Sequence, residues 1–452
     1  MTFRSGVLLA LAWSALSACA RAPGPPPSER GPADATLIAM ATSDARASLS
    51  AASAAASDLR SASAPASTAD ASAPADSAAL SADGKDFIAQ AQTLFRVAAC
   101  GTTGDVPTRF DAAVVARHCD ALSRAYGEYQ RAWVDVAKPF IASLRPKDLP
   151  SVVVYPFGGG DLASALATFP DATEITTISL EPAGDIRPID TLPAFLLDRE
   201  LAVHRSHLER LFEKAHSRTD NLEKESKTEL PGEVLFALAA LVVHGDEPVS
   251  LRYFRLGPDG SIAYVTQADI DAAKTPNDRH ALLASAELRF RKAGIADAPV
   301  RVLRHISFNL DDFHLKADGS LLAYLSPKGK IAAMTKAASH LLWSDHFALI
   351  RRWLLDHTDW MISDSTGIPP RFATPAGFIQ DTFGTFNGPA PFGLLDDRDA
   401  ADVRKLFAAQ KGRDPGFRYG YPDKDGHGHI IVTRRGPDAE PTVGSEPYDG
   451  SQ

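Results

Sequence analysis

One stretch, residues 152–181, constrains the fold more than any other. It reads VVVYPFGGGDLASALATFPDATEITTISLE. Val152, Val153, Val154 and Tyr155 form a short apolar run of buried-strand type, bounded by a glycine turn. Residues 162–169 then read as a helix, and residues 174–180 are β-branched and read as the next strand. Asp161 stands at the helix start, where a carboxylate caps free backbone N–H groups.

The rest of the chain extends this alternation. Residues 86–98, 110–144, 190–216 and 345–357 read as helices, the last capped by Ser344, and residues 234–243 as a wholly apolar, buried helix. Strand-like runs fall at 250–256, 261–266, 286–290 and 300–308. Strands interleaved with helices argue an α/β sheet.

The glycine turn carries a motif. Gly158, Gly160 and Ala163 fit G-x-G-x-x-A after a strand and at a helix start, and Glu181 lies 21 residues past Gly160 at the end of the next strand. That context is the Rossmann unit's, in which the acid meets ribose hydroxyls. The segment TFPDATEITTISLEP resembles the second-strand region of class I methyltransferases. The resemblance implies a terminal antiparallel hairpin, which fits residues 417–421 and 429–433. The expected fold is therefore α/β and Rossmann-like, a mostly parallel sheet flanked by helices. It is preceded by an N-terminal helical subdomain (85–150) and closed by that hairpin within an α/β domain of 151–435. Asp161 would repel a phosphate at the helix N-terminus, so the glycines are read as a turn and no cofactor is expected.

The first residues address the chain. One basic residue, Arg4, precedes ten apolar or small residues (7–16), too few for a span of about 20; this is a secretory signal over residues 1–18. Leu16-Ser17-Ala18-Cys19 resembles the bacterial lipobox, which implies lipidation of Cys19 and anchoring to a membrane of the cell envelope, the outer one in a Gram-negative cell since Ala20 follows. Residues 19–84 are dominated by Ala, Ser, Pro and Asp and read as a disordered tether, with an average reach of about 40–50 Å. Residues 436–452 read as a loose tail. Cys100 and Cys119 remain as a pair; a disulfide would close a loop of about 20 residues and stabilise by roughly 3 kcal/mol. The other reading is two reduced, buried thiols.

Charge narrows the partners. The chain has 47 Lys and Arg against 56 Asp and Glu, a formal net charge of −9; losing residues 1–18 removes only Arg4. That excludes a basic nucleic-acid-binding face. The partners expected are the membrane through the lipid, and a small molecule or envelope protein.

Several constellations carry candidate chemistry. Lys336, Ser339 and His340 lie in a strand-to-helix passage, IAAMTKAASHLLW, and Asp364 and Ser365 in a turn after another strand. In a parallel sheet both turns lie at the carboxyl edge, where α/β ligands bind, so Ser339, His340 and Asp364 could converge as a hydrolase set. Ser363-x-Ser365-x-Gly367 approaches the nucleophile elbow, but Pro369 and Pro370 preclude the helix an elbow needs. His427 and His429, with Asp423 and Asp425, have spacing that suits a metal, yet Arg434 stands where a calcium loop needs Glu. His305, Asp311, Asp312 and His314 form a polar knot without recognised ligand spacing. No metal site is expected.

The blocks VVVYPFGGGDLASALATFP, ISLEPAG, MTKAASHLLW and ISDSTGIPPRF together resemble an uncharacterised family of bacterial envelope proteins with a degenerate methyltransferase-like Rossmann unit. The expected function is thus non-catalytic binding by a membrane-anchored envelope lipoprotein. The alternative is an envelope enzyme, a serine-type hydrolase or a Rossmann-fold transferase.

Overall fold

The structure, a computed structural model, describes residues 84–214, 228–230, 232–388, 397–410, 412–421 and 428–437. The signal over 1–18, Cys19, the tether up to residue 83, Asp423, Asp425, His427 and the tail beyond residue 437 lie outside the described residues.

Among the described residues ten strands form one sheet, in the order β4-β3-β5-β6-β2-β1-β7-β8-β10-β9. They are β1 (Val152–Pro156), β2 (Glu174–Ser179), β3 (Asp246–Leu256), β4 (Ile262–Tyr264), β5 (Ser285–Lys292), β6 (Arg301–Ser307), β7 (Ile331–Thr335), β8 (Thr358–Ser363), β9 (Phe378–Gly384) and β10 (His429–Arg435). The five central strands, β6-β2-β1-β7-β8, are parallel. They are covered on both faces, and β7 is buried at every position, as parallel strands generally are.

The sheet is mixed, which corrects the expectation of a mostly parallel one. Beyond β6 the strands β5, β3 and β4 run antiparallel, and beyond β8 so do β10 and β9. On β5 the less buried Arg289 and Arg291 alternate with the buried Leu288 and Phe290, the pattern of a strand with one wetter face.

The terminal hairpin also needs correcting. β10 pairs with β9 and β8, whereas residues 417–421 form no strand. Gly416 and Gly420 sit there at φ 74° and 67°, a left-handed geometry that breaks an extended run.

Helices cover the sheet. They include α1 (Ile88–Val97), α2 (Ala112–Tyr129), α3 (Asp135–Ala142), α4 (Leu162–Thr168), α5 (Leu197–Lys214), α6 (Glu233–His244), α7 (Ala348–His357) and α8 (Asp397–Ala409). A five-residue π-helical turn, Gln130–Val134, joins α2 to α3. Leu94, Leu122, Trp133 and Ile141 share one buried cluster with Val153, Ile175 and Leu238. The N-terminal helices thus pack on the same core as the sheet. A Cys100–Cys119 disulfide, with Cα atoms 5.4 Å apart, ties the end of α1 to α2. No helix among the described residues is long and apolar enough to cross a membrane.

Candidate functional site

β1 lies between β2 and β7. The chain leaves β1 through α4 toward β2 on one side, so a crevice opens beyond the carboxyl ends of β1 and β7. Open α/β sheets bind ligands in such crevices. Here the backbone leaves both strands in an unusual way. Phe157 after β1 and Ala337 after β7 are left-handed, at φ 62° and 52°. For residues with a Cβ such geometry costs on the order of 1–3 kcal/mol each and collects at functional sites. Ala337 is held by its N–H, which donates to Asp364 Oδ2 at 3.0 Å.

The crevice is occupied by side chains of the chain itself. Lys336, which follows β7, places its ammonium 2.6 Å from Asp161 Oδ2 and donates to Ser164 Oγ at 3.0 Å. Asp161 caps α4 through the Ser164 N–H, as its position in the sequence implies, and accepts from the Tyr155 hydroxyl at 3.0 Å. The Tyr419 ring lies 5.4 Å from the ammonium, within cation–π range. The pair is nearly dry: Lys336 is 2% exposed and Asp161 4%. Burial and the Asp161 charge push the Tyr155 phenol well above its usual ionisation range.

Across the glycine turn stands Glu233, the first residue of α6, 4% exposed. A Cβ on Gly160 would lie 2.3 Å from Glu233 Oε2 and 2.8 Å from Phe236 Cβ. The glycine is therefore needed so that α6 can approach. Gly158 is pressed in the same way against the ring and carbonyl of Tyr155. Burial, reinforced by the charges of Glu181 and Asp161, pushes the Glu233 carboxyl well above its ordinary value. Glu181, two residues past β2, accepts through its backbone carbonyl from His305 Nε2 at 2.8 Å.

Ser339, Asp364 and Thr366 converge, in a network of their own. Ser339 Oγ lies 2.7 Å from Thr366 Oγ1, and Asp364 accepts from the N–H of Ala337, Thr366 and Tyr421 and from the Thr366 hydroxyl. With four donors on its two oxygens, Asp364 is an anchor between loops. His340 is half-buried and turns Nδ1 toward its own Ala337 carbonyl at 3.1 Å; burial lowers its pKa. Ser365 is fully buried, its Oγ without a hydrogen-bond partner among the described residues, and no helix follows it directly. The sequence thus places Lys336, Ser339 and Asp364 correctly at one edge. It does not announce Glu233, Phe236, Tyr155, Ser164 or Tyr419, which complete the crevice. The one available signal was an acid opening an otherwise wholly apolar helix.

The remaining polar groups have separate duties. His305 bonds Thr177 on the neighbouring strand at 3.1 Å, Asp311 caps the turn that carries His314, and Asp312 accepts from the Leu349 N–H. His429 is buried against the rings of Phe386 and Phe407. Among the described residues no cluster of three metal-ligating side chains forms. No family model, curated protein or solved structure matches the chain.

Proposed function

We propose that this chain is a non-catalytic binding protein of the cell envelope, built on a Rossmann-like sheet whose nucleotide crevice its own side chains have closed. The order β6-β2-β1-β7-β8 supports the scaffold half, because it follows the 3-2-1-4-5 order of doubly wound sheets. Antiparallel β10, between β8 and β9, supplies one of the two strands of the terminal hairpin that the methyltransferase resemblance implies. The observation that carries the non-catalytic half is the filling of the crevice: Glu233 and Phe236 occupy the space against Gly160, and Lys336 is bonded to Asp161 and Ser164. A phosphate or an adenosine would have to displace them.

The envelope half rests on Leu16-Ser17-Ala18-Cys19 and is supported by the Cys100–Cys119 disulfide, since disulfides persist in oxidising compartments. In this reading lipid on Cys19 anchors the chain to a membrane, and the partner is a small molecule or envelope protein, with no nucleic acid. Metabolic labelling with an alkyne fatty acid tests it: Cys19→Ala must abolish the label and release the protein from membranes.

The crevice reading is tested by titrating the purified protein with S-adenosylmethionine and with NAD. Heat of mixing without saturation is expected for both. Saturable binding abolished by Glu181→Ala would establish the alternative, a Rossmann-fold transferase. The left-handed Phe157 and Ala337 are what favour an enzyme as second reading. Its hydrolase version requires that a fluorophosphonate label Ser339 or Ser365.

A further inference from the structure

A second concave site adjoins the crevice through Tyr129, a cleft of about 460 Å³ lined by Ala125, Glu128, Tyr129, Trp133, Glu209 and Arg418, among others. Its volume falls in the range of small-molecule sites. The wall is built around the π-helical turn Gln130–Val134, a rare element that recurs at functional sites. That turn brings Tyr129 and Trp133 into one ladder of rings. Trp133 stacks on Tyr129 at 5.4 Å and 7°, Tyr129 on Phe212 at 4.6 Å and 25°, and Trp133 on Tyr419 at 6.5 Å and 14°. The indole Nε1 is spent on the Arg418 carbonyl at 2.6 Å.

Tyr129 and Trp133 are each only 4% exposed, so no more than a narrow edge of each ring reaches the cleft. Ring edges carry the positive end of the quadrupole and favour the face of another ring. The polar groups have opposite signs. Arg418 offers a guanidinium with five donors, so that one ligand carboxylate can be bound beside an existing partner. Glu128 is an exposed carboxylate on the same rim, while Glu209 is shared with Arg205 on its own helix at 3.8 Å.

We propose that this cleft binds an aromatic zwitterion of amino-acid size, its ring against the edges of Tyr129 and Trp133, its carboxylate on Arg418 and its ammonium on Glu128. The proposal rests on the reading of the chain as a binding protein but not on the closure of the sheet crevice, so cofactor binding at Glu181 would overturn that closure and leave this site standing.

Four probes share one ring: L-tryptophan, tryptamine, indole-3-propionate and indole. Isothermal titration of the whole protein is expected to give saturable binding of L-tryptophan at or below about 1 mM, with each truncated probe at least tenfold weaker. Ala132→Phe, at an exposed position on the cleft wall, puts a ring into the cleft and is expected to abolish binding. Arg418→Gln is expected to bring L-tryptophan and tryptamine within twofold, and Glu128→Gln to do the same for L-tryptophan and indole-3-propionate. No saturable binding of L-tryptophan, equal binding of all four probes, or full binding by a folded Ala132→Phe variant overturns the proposal.

Discussion

The sheet crevice and the aromatic cleft are both concave, and what fills them separates them. The crevice beyond β1 and β7 is closed by a buried ion pair, the buried Glu233 carboxyl and glycines pressed against their neighbours. The cleft beside the π-helical turn keeps about 460 Å³ of open volume above a ladder of rings. Groups that meet one another in a dry interior serve stability, because any loss leaves a charge without water or partner. Groups that meet an open volume can be changed at little cost to folding. The two regions touch at Tyr129, whose ring lines the cleft and whose phenol is close enough to Asp161 and Ser164 for both to act on its ionisation.

The largest expected effect lies in the crevice. Lys336→Met leaves the Asp161 carboxylate buried with only Tyr155 and the cap of α4 as partners, and is expected to cost about 3–5 kcal/mol. Adding Asp161→Asn removes the orphaned charge and should recover part of the loss. Urea denaturation of both singles and the double gives the coupling. If Lys336→Met unfolds within about 0.5 kcal/mol of the parent, the pair is not a structural closure and the crevice must be regarded as open to ligands.

Next is the disulfide. Cys100 and Cys119 are separated by 19 residues, so Cys119→Ser is expected to lose roughly 3 kcal/mol while leaving the sheet edge intact. A variant with unchanged stability would mean that α1 and α2 are held by packing on the sheet alone.

The legibility of the fold follows the range of the interactions. β1, the glycine turn, α4 and β2 are readable because they rest on neighbours in sequence: β-branched runs, a tight turn and Asp161 capping three residues ahead. What closes the crevice is not readable, since Lys336 and Ser164 are 172 residues apart and Glu233 arrives on a separate helix. β9 is missed because its sequence, FIQDTFG, sets Gln380, Asp381 and Thr382 in a row and shows no apolar alternation. Residues 417–421 have strand-like side chains, and the left-handed Gly420 overrides them. Ser339 and Asp364 could be placed at the right edge from topology, yet no spacing rule says that Asp364 spends its oxygens on backbone.

An acid-sensitive limb sharpens the comparison from the side of the packed interior. Burial pushes both His204 and His244 down to about 3. An unfolded histidine takes up its proton near 6.5, so the unfolded chain binds more protons between 3 and 6.5. Stability is therefore complete above 6.5 and is lost as pH falls through that window, by up to about 1.4 kcal/mol per pH unit for each group. Glu233, whose pKa burial raises above the usual 4.5, works in the opposite sense: its contribution is lost as pH rises. His204→Phe, beside the ring of Phe236, should flatten the acid limb of denaturation midpoints against pH. A slope identical to the parent's would remove His204 as its cause.

The smallest expected effect belongs to the cleft and decides whether the contrast holds. Ala132 is an exposed residue of the π-helical turn and lines the open volume. Ala132→Phe should shift stability by less than about 0.5 kcal/mol, as a surface change away from packed groups does. Such tolerance beside the intolerance of Lys336→Met would separate a region built to fold from one free to bind. A loss of 2 kcal/mol or more at Ala132, of the order seen for overpacked interiors, would show that the volume closes in solution and that the ring ladder is core.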